Sequence, residues 1–252
     1  MQLSSSAVSL PKPGKRRGED AFFYHPHAVG VADGVGGWAK HGIDSGEYAE
    51  SLMKESWRRS LTETNPHKVL WHAYSQSQRL PGSATACVVT VHDDQLRSSV
   101  VGDCGYVVLR HGNPVYQSVP QMHRFNLPHQ LGYQMDTPER AVNHEMMLEP
   151  DDIIVLGSDG VFDNLHMDEM VRLVRRSPRQ PEALAEHISQ AAFFNSLDGA
   201  KDSPFAQQAR ENGMIFTGGK QDDITVVVSC INDASTASAP PGPAGLPQST
   251  TP

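Results

Sequence analysis

The chain has 252 residues, with 21 Lys plus Arg against 29 Asp plus Glu, a formal net charge of −8, and 38% hydrophobic and 20% charged residues. That length holds one large domain or two small ones, and the composition excludes a chain that is disordered throughout or embedded in a membrane. The acidic balance excludes a general polyanion binder, which needs clustered Lys and Arg, and no apolar run is long enough for a transmembrane helix.

In chain order, residues 1–14 read as a flexible entry segment. Residues 1–18 hold Lys12, Lys15, Arg16 and Arg17, several serines and no acid, a composition like that of an organelle-addressing leader. Ala49, Leu52, Met53, Trp57 and Leu61 then recur at helical spacing, with Asp44 placed as the cap and Glu47 at its third position. Asn65-Pro66 opens a second helix whose apolar face is Val69, Leu70, Ala73 and Tyr74. Short β-branched runs follow at 86–92, 95–101 and 106–110, parted by turn residues, and these predict antiparallel strands. Nearly unbroken apolar runs at 152–156 and 224–231 predict strands covered on both faces. Helices are expected at 167–176 and 182–194, with a short one opened by Ser203-Pro204. Strands in runs and helices in pairs make an α+β domain over residues 15–232. The segment 233–252, rich in Pro, Ala, Ser and Thr, reads as a disordered tail.

Three cysteines, Cys87, Cys104 and Cys230, form neither a paired framework nor a zinc spacing, so they read as buried small hydrophobes. The 12 histidines are scattered singly and read as ordinary imidazoles.

The informative pattern is where carboxylates fall. Val29-Gly30-Val31-Ala32 runs into Asp33-Gly34, and Ile153 to Ser158 runs into Asp159-Gly160. Asp222-Asp223 precedes a valine run, Glu19-Asp20 precedes Ala21-Phe22-Phe23, and Gly102-Asp103 follows Ser99-Val100-Val101. Acids at the ends of separate strands can converge on one rim, glycines beside them admit a ligand, and clustered like charges call for cations. Oxygen donors without His or Cys point to Mg²⁺ or Mn²⁺. Asp93-Asp94 and Asp151-Asp152 sit in polar turns and read as structural.

These residues also carry a family likeness. The segments RRGEDAFF, VGVADGVGGW, GSATACVV, VVGDCGYVVLR, DDIIVLGSDGVFDN and GGKQDDITVVVS resemble the PPM (type 2C) metal-dependent protein phosphatases from about Lys15 to Ile231. SPFAQQA and HRFNLPHQLG look most like the PTC-seven-like branch, whose members are largely associated with mitochondria or chloroplasts. The resemblance implies an α-β-β-α sandwich of two antiparallel sheets flanked by helix pairs. It implies that Asp33 bridges two metal ions, with the Gly34 carbonyl, Asp159 and Asp222 as further ligands. Glu19 and Asp20 hold metal-bound waters on this likeness, and Asp103 sits beside Asp159 for a third ion. Asp33 and Asp159 are the expected catalytic residues.

Two positions depart from the family pattern. Many members carry His two residues after the bridging Asp as the proton donor, where this chain has Val35, leaving a water or a histidine such as His41 for that task. Where the family often has a phosphate-binding Arg, this chain has Lys15, followed by Arg16 and Arg17. The short stretch 133–148, where the family hosts a substrate-selecting flap, implies an open cleft.

The expected reaction is hydrolysis of phosphoserine and phosphothreonine by attack of a water bridging the two ions. The expected partners are phosphoprotein substrates met by a monomer, without nucleic acid or membrane insertion. A metal-dependent phosphodiesterase and a catalytically silent scaffold are the alternatives that the residues leave open.

Overall fold

The computed structural model describes residues 1–232, so the predicted tail at 233–252 lies outside the described residues. Thirteen strands are formed: β1 (Gln2–Leu10), β2 (Asp20–His25), β3 (Ala28–Gly34), β4 (Ser83–His92), β5 (Gln95–Val101), β6 (Gly105–Arg110), β7 (Asn113–Gln117), β8 (Met122–Arg124), β9 (Leu127–Pro128), β10 (Leu131–Gly132), β11 (Val142–Met147), β12 (Ile153–Gly157) and β13 (Ile224–Asn232). Helices are α1 (Ser45–Ser60), α2 (Pro66–Ser77), α3 (Asp159–Phe162), α4 (Met167–Arg176), α5 (Pro181–Leu197) and α6 (Pro204–Glu211).

The helix starts follow from their caps. Asp44 accepts from Gly46 N at 2.9 Å and Asn65 Oδ1 accepts from His67 N and Lys68 N at 3.0 and 3.2 Å, each satisfying an otherwise orphaned first-turn donor. Pro66 sits in the first turn of α2, where its missing N–H costs nothing. Ser203 caps α6 through Ala206 N at 3.1 Å.

Two antiparallel sheets stack face to face, one in the order β1-β13-β12-β6-β7 and the other β11-β5-β4-β3-β2, with β10 adding to β4. Val29, Val31, Cys87, Val89, Tyr106, Val108, Ile154, Leu156 and Val227 fill the layer between them. Alternate residues of the same strands face outward onto helices: Ala28, Ala32, Ala86 and Val88 meet Tyr48, Leu52, Val69 and Leu70 of α1 and α2. On the far side Val107, Val155, Val226 and Val228 meet Met170, Val174, Leu184 and Ile188 of α4 and α5. The result is the expected α-β-β-α sandwich. The central strands are buried on both faces, which is why 152–156 and 224–231 read as continuous apolar runs. All three cysteines are buried and free.

The entry segment differs from expectation. Residues 2–10 are not a flexible lead-in: β1 pairs with β13 along its whole length, from Gln2 opposite Asn232 to Leu10 opposite Ile224. Its serines disguise it. Ser5 Oγ meets Ser229 Oγ and Ser9 Oγ meets Thr225 Oγ1, both at 2.8 Å, so hydroxyls pair across the strands where apolar alternation would otherwise mark an edge.

Asp151-Asp152 is structural, as read. Asp152 is fully buried and takes a two-point contact from Arg110, Nε to Oδ1 at 2.9 Å and Nη2 to Oδ2 at 2.8 Å. Removing one partner of such a pair strands a buried charge. Arg110→Ala is therefore expected to cost about 3 kcal/mol in chemical denaturation; a change within about 0.5 kcal/mol of wild type would show that the pair is dispensable.

Candidate metal centre

Strand geometry brings the acids together at one end of the sandwich. Asp20 of β2 lies directly opposite Asp33 of β3, and Gly157, two residues before Asp159, lies opposite both Gly105 and Val226. Asp103 occupies the turn between β5 and β6, and Asp222-Asp223 lead into β13. The backbone is shaped for close approach. A side chain at Gly34 would strike the carbonyls of Glu19 and Ser45 at 2.7 Å. Gly102, at φ 89°, has no room for a Cβ against Thr85 and the His129 carbonyl.

The electrostatics show one shared site. Burial pushes Asp33 well above the usual carboxylate range, and the charges of Asp20, Asp159, Asp103 and Asp222 push it further. Burial likewise raises Asp20 to about 7, Asp163 to about 7, and Asp103 well up. Asp159 goes the other way: burial, the largest single effect, would raise it, but the Lys220 charge and hydrogen bond, with hydrogen bonds from Asp33 and the Gly160 backbone, together hold it below its ordinary value. Lys220 Nζ contacts Asp159 Oδ2 at 2.5 Å and Asp163 Oδ2 at 2.7 Å, and lies 3.7 Å from Asp222 Oδ2.

Two features test whether this set fits a divalent ion. Both carboxylate oxygens of Asp20 and Oδ1 of Asp159 are buried without a hydrogen-bond partner, as ligand or water-holding atoms awaiting a cation would be. The donors are also all hard oxygens, the set that suits Mg²⁺ or Mn²⁺. Among the described residues, three donor atoms within 4.8 Å of one another occur only at His123, His129 and Asp136, and the rim acids as a set stand further apart than that.

A family model described as stage II sporulation protein E matches residues 25–232. The chain is 36% identical over 260 residues to the PTC7 homologue fig of Drosophila grimshawi, covering 92% of this chain and 85% of that protein. It belongs to the PPM (type 2C) protein phosphatase family. Probable protein phosphatase 2C 80 of Arabidopsis thaliana is 38% identical over 248 residues, 93% of this chain but 60% of that longer protein. The solved photosystem II phosphatase PBCP aligns with a TM-score of 0.86 at 31% identity, over 91% of this chain and 99% of that one. The catalytic domain of PstP, solved with 2 manganese ions, shares the fold at TM-score 0.69 and 16% identity, over 92% and 99% of the two chains.

Within this PPM fold the sequence-predicted residues do not all gather. Asp20, Asp33, Asp103, Asp159 and Asp222 share the rim, and the Gly34 amide donates to the Glu19 carbonyl at 3.1 Å, placing Glu19 beside them. Lys15 reaches the same place, paired with Glu19 and 3.8 Å from Asp223 Oδ2. Arg17 is drawn to Glu50 of α1 instead, and Arg16 is exposed. His41 ends the short 3-10 helix Gly36–His41 and is exposed.

Several residues were missed by sequence reasoning. Lys220 is one, held by Asn164, whose Nδ2 donates to the Lys220 carbonyl and whose Oδ1 accepts its N–H, both at 2.9 Å. Asp163 is another, completing the Lys220 cage, and Lys12 lies 3.6 Å from Asp222. Asp223 anchors the entry segment, accepting from Lys12 N at 2.6 Å and Glu19 N at 2.7 Å. The signal for Lys220 was present only as a Lys two residues before an acidic strand start.

A raised carboxyl pKa means that the folded chain holds its proton more tightly than the unfolded chain. Stability should therefore fall as pH rises from near 4 through about 7, the window set by Asp20. In chelator, the melting temperature is expected to drop on the order of 5 °C between pH 5.5 and 7.5, with Mn²⁺ restoring more at the higher pH. Asp20→Asn should flatten the slope. A melting temperature that climbs with pH in chelator would contradict the cluster's electrostatics.

Proposed function

We propose that this chain is a metal-dependent protein serine/threonine phosphatase, a phosphomonoester hydrolase acting on phosphoserine and phosphothreonine in proteins. The reading rests on one observation: carboxylates from five separate strand ends meet at one rim with buried, unpartnered oxygens facing each other's charge. Two Mg²⁺ or Mn²⁺ ions, when bound, supply the Lewis-acid charge that acidifies a water and offsets charge developing on the phosphoryl oxygens.

In this reading Asp33, Asp159, Asp222 and the Gly34 carbonyl hold those ions, Glu19 and Asp20 hold the waters around them, and Asp103 stands where a third ion would sit. Lys220 keeps Asp159 ionised and so ready as a ligand. Lys15 is the phosphate-facing cation: it is half-exposed at the rim, while Arg17 is engaged with Glu50. Position 35 donates no proton, since Val35 is apolar and its backbone is tied at both ends, N–H to the Ser83 carbonyl at 2.9 Å and carbonyl from Ser45 Oγ at 2.8 Å.

The substrates in this reading are phosphoproteins, and the chain acts as a monomer. No nucleic acid is involved, and among the described residues no helix is long and apolar enough to cross a membrane. A mitochondrial or chloroplast address remains the expected compartment. It is supported by the family likeness alone, because the basic entry segment is continuous with a strand of the sandwich.

Asp33→Asn and Asp159→Asn are each expected to lower Mn²⁺-dependent phosphate release from a phosphopeptide by roughly 100-fold or more, the loss of several kcal/mol of transition-state stabilisation. Full activity in purified Asp33→Asn protein would end the two-ion reading. Lys15→Ala is expected to raise KM about tenfold, since a charge-assisted contact contributes about 1.5–3 kcal/mol. Arg17→Ala should stay within about twofold of wild type by the same reasoning, its charge being engaged elsewhere. Equal damage from both substitutions would show that the cation has been misassigned.

A further inference from the structure

Outside the acidic rim, three side chains from one short stretch converge. His123 on β8, His129 after β9 and Asp136 after β10 have donor atoms all within 4.8 Å of one another. His123 Nε2 is 2.9 Å from Asp136 Oδ2, His129 Nδ1 is 3.2 Å from Asp136 Oδ1, and the two rings lie 3.9 Å apart. Bonds of about 2.0–2.1 Å to a tetrahedral ion put neighbouring ligand atoms about 3.3 Å apart, so both histidine–aspartate pairs are already near coordination spacing.

A purely structural role leaves one atom unexplained. His129 Nδ1 is buried and makes no hydrogen bond; the polar atom it faces is Asp136 Oδ1 at 3.2 Å, inside the trio itself. Asp136 is meanwhile oriented as a metal-ligating carboxylate usually is: its Oδ2 accepts from the Gln130 amide at 3.0 Å. The other cation near it, Arg140, stands off at 4.0 Å and is largely exposed.

We propose that His123, His129 and Asp136 form a second metal site, distinct from the acidic centre and selective for Zn²⁺, with water as the fourth ligand. Two imidazoles and a carboxylate suit zinc, whereas the all-oxygen rim suits Mg²⁺ or Mn²⁺. The site is a structural clamp. The His129 N–H bonds the Gln121 carbonyl at 3.0 Å, and the Gln121 N–H bonds the Gly102 carbonyl at 2.9 Å, next to Asp103. Gln130 in turn accepts from Ser83 Oγ at 2.5 Å, and Ser83 receives Trp38 Nε1 at 2.7 Å. Zinc in the trio would thus fasten the stretch 121–136 to both sides of the rim without entering it.

The test is equilibrium dialysis of the full chain against micromolar Zn²⁺ in a large excess of Mg²⁺, followed by elemental analysis. Co²⁺ spectra report whether the ion is tetrahedral. Wild type and Asp33→Asn should each retain one zinc per chain, and His123→Gln and His129→Gln should weaken binding beyond the roughly 10- to 100-fold that losing a mere supporting partner costs. Circular dichroism of each variant establishes that it is folded. The proposal is overturned if wild type holds no zinc under these conditions, if the zinc persists in both folded histidine variants, or if it is lost in Asp33→Asn.

Discussion

Repulsion among Asp20, Asp33, Asp103, Asp159 and Asp222 is the term to which the neighbouring features answer. Two like charges about 4 Å apart near a protein surface cost about 4 kcal/mol, and here the charges of Asp20, Asp159, Asp103 and Asp222 all act on the buried Asp33. Part of that cost is met within the chain. Lys220, buried and with its own ammonium held charged by Asp159, Asp163 and Asp222, neutralises one side of the cluster. Asp20 and Asp33, directly opposite each other on β2 and β3, have no such partner and respond by holding protons. The rim is therefore divided: one side is internally neutralised, and the other takes protons or divalent ions.

That division depends on the sandwich. Asp33 and Asp159, 126 residues apart in sequence, meet because β3 and β12 end at the same edge of two stacked sheets, and Glu19 joins them because Asp223 pulls the entry segment in through its bonds to Lys12 N and Glu19 N. Glu19 is placed by its bonds to Gly34 N and Asp223, and β1, fixed along β13, delivers the chain to Lys12 and Lys15 beside it. The strand expected to be a loose lead-in thus helps bring the phosphate-facing cation of the proposed mechanism to the rim, together with Asp223 and Glu19. Lys15 and Arg17 part company because the chain bends at residues 16–17, and Arg17 turns toward α1, where Glu50 takes it.

Much of this was legible in the chain itself. The caps at Asp44, Asn65 and Ser203 each announced a helix through a local bond, and the doubly covered strands announced themselves as apolar runs. Asp33 and Asp159 were legible because each combines a strand end with a following glycine, a local signature of a site. Lys220, Asn164 and Asp163 were not, because their meaning is relational. A lone Lys in a loop and an Asn after a short helix acquire a role only when the sheet folds them together. β1 was hidden for a related reason: its pairing uses Ser5 and Ser9 against Ser229 and Thr225, so the stabilising groups are polar and imitate a flexible segment. The histidines misled in the same direction, since His123, His129 and Asp136 follow no zinc-motif spacing and are joined by a turn and a bridge between Leu131 and Asp136.

Donor chemistry explains how one small domain can keep two kinds of metal apart. Divalent zinc binds most nitrogen and oxygen sites more tightly than magnesium, so affinity alone would let zinc invade the acidic rim. Geometry and softness work against that outcome. The rim offers only hard oxygens, an arrangement that suits an ion retaining much of its water, whereas the trio offers two imidazoles and a carboxylate within 4.8 Å of one another. A cell holding free zinc low and magnesium high would then load the trio with one and the rim with the other. The stretch 121–136 would be stiffened by an ion that takes no part in the reaction beside it, leaving Asp103 and Gly102 set by the fold rather than by the substrate.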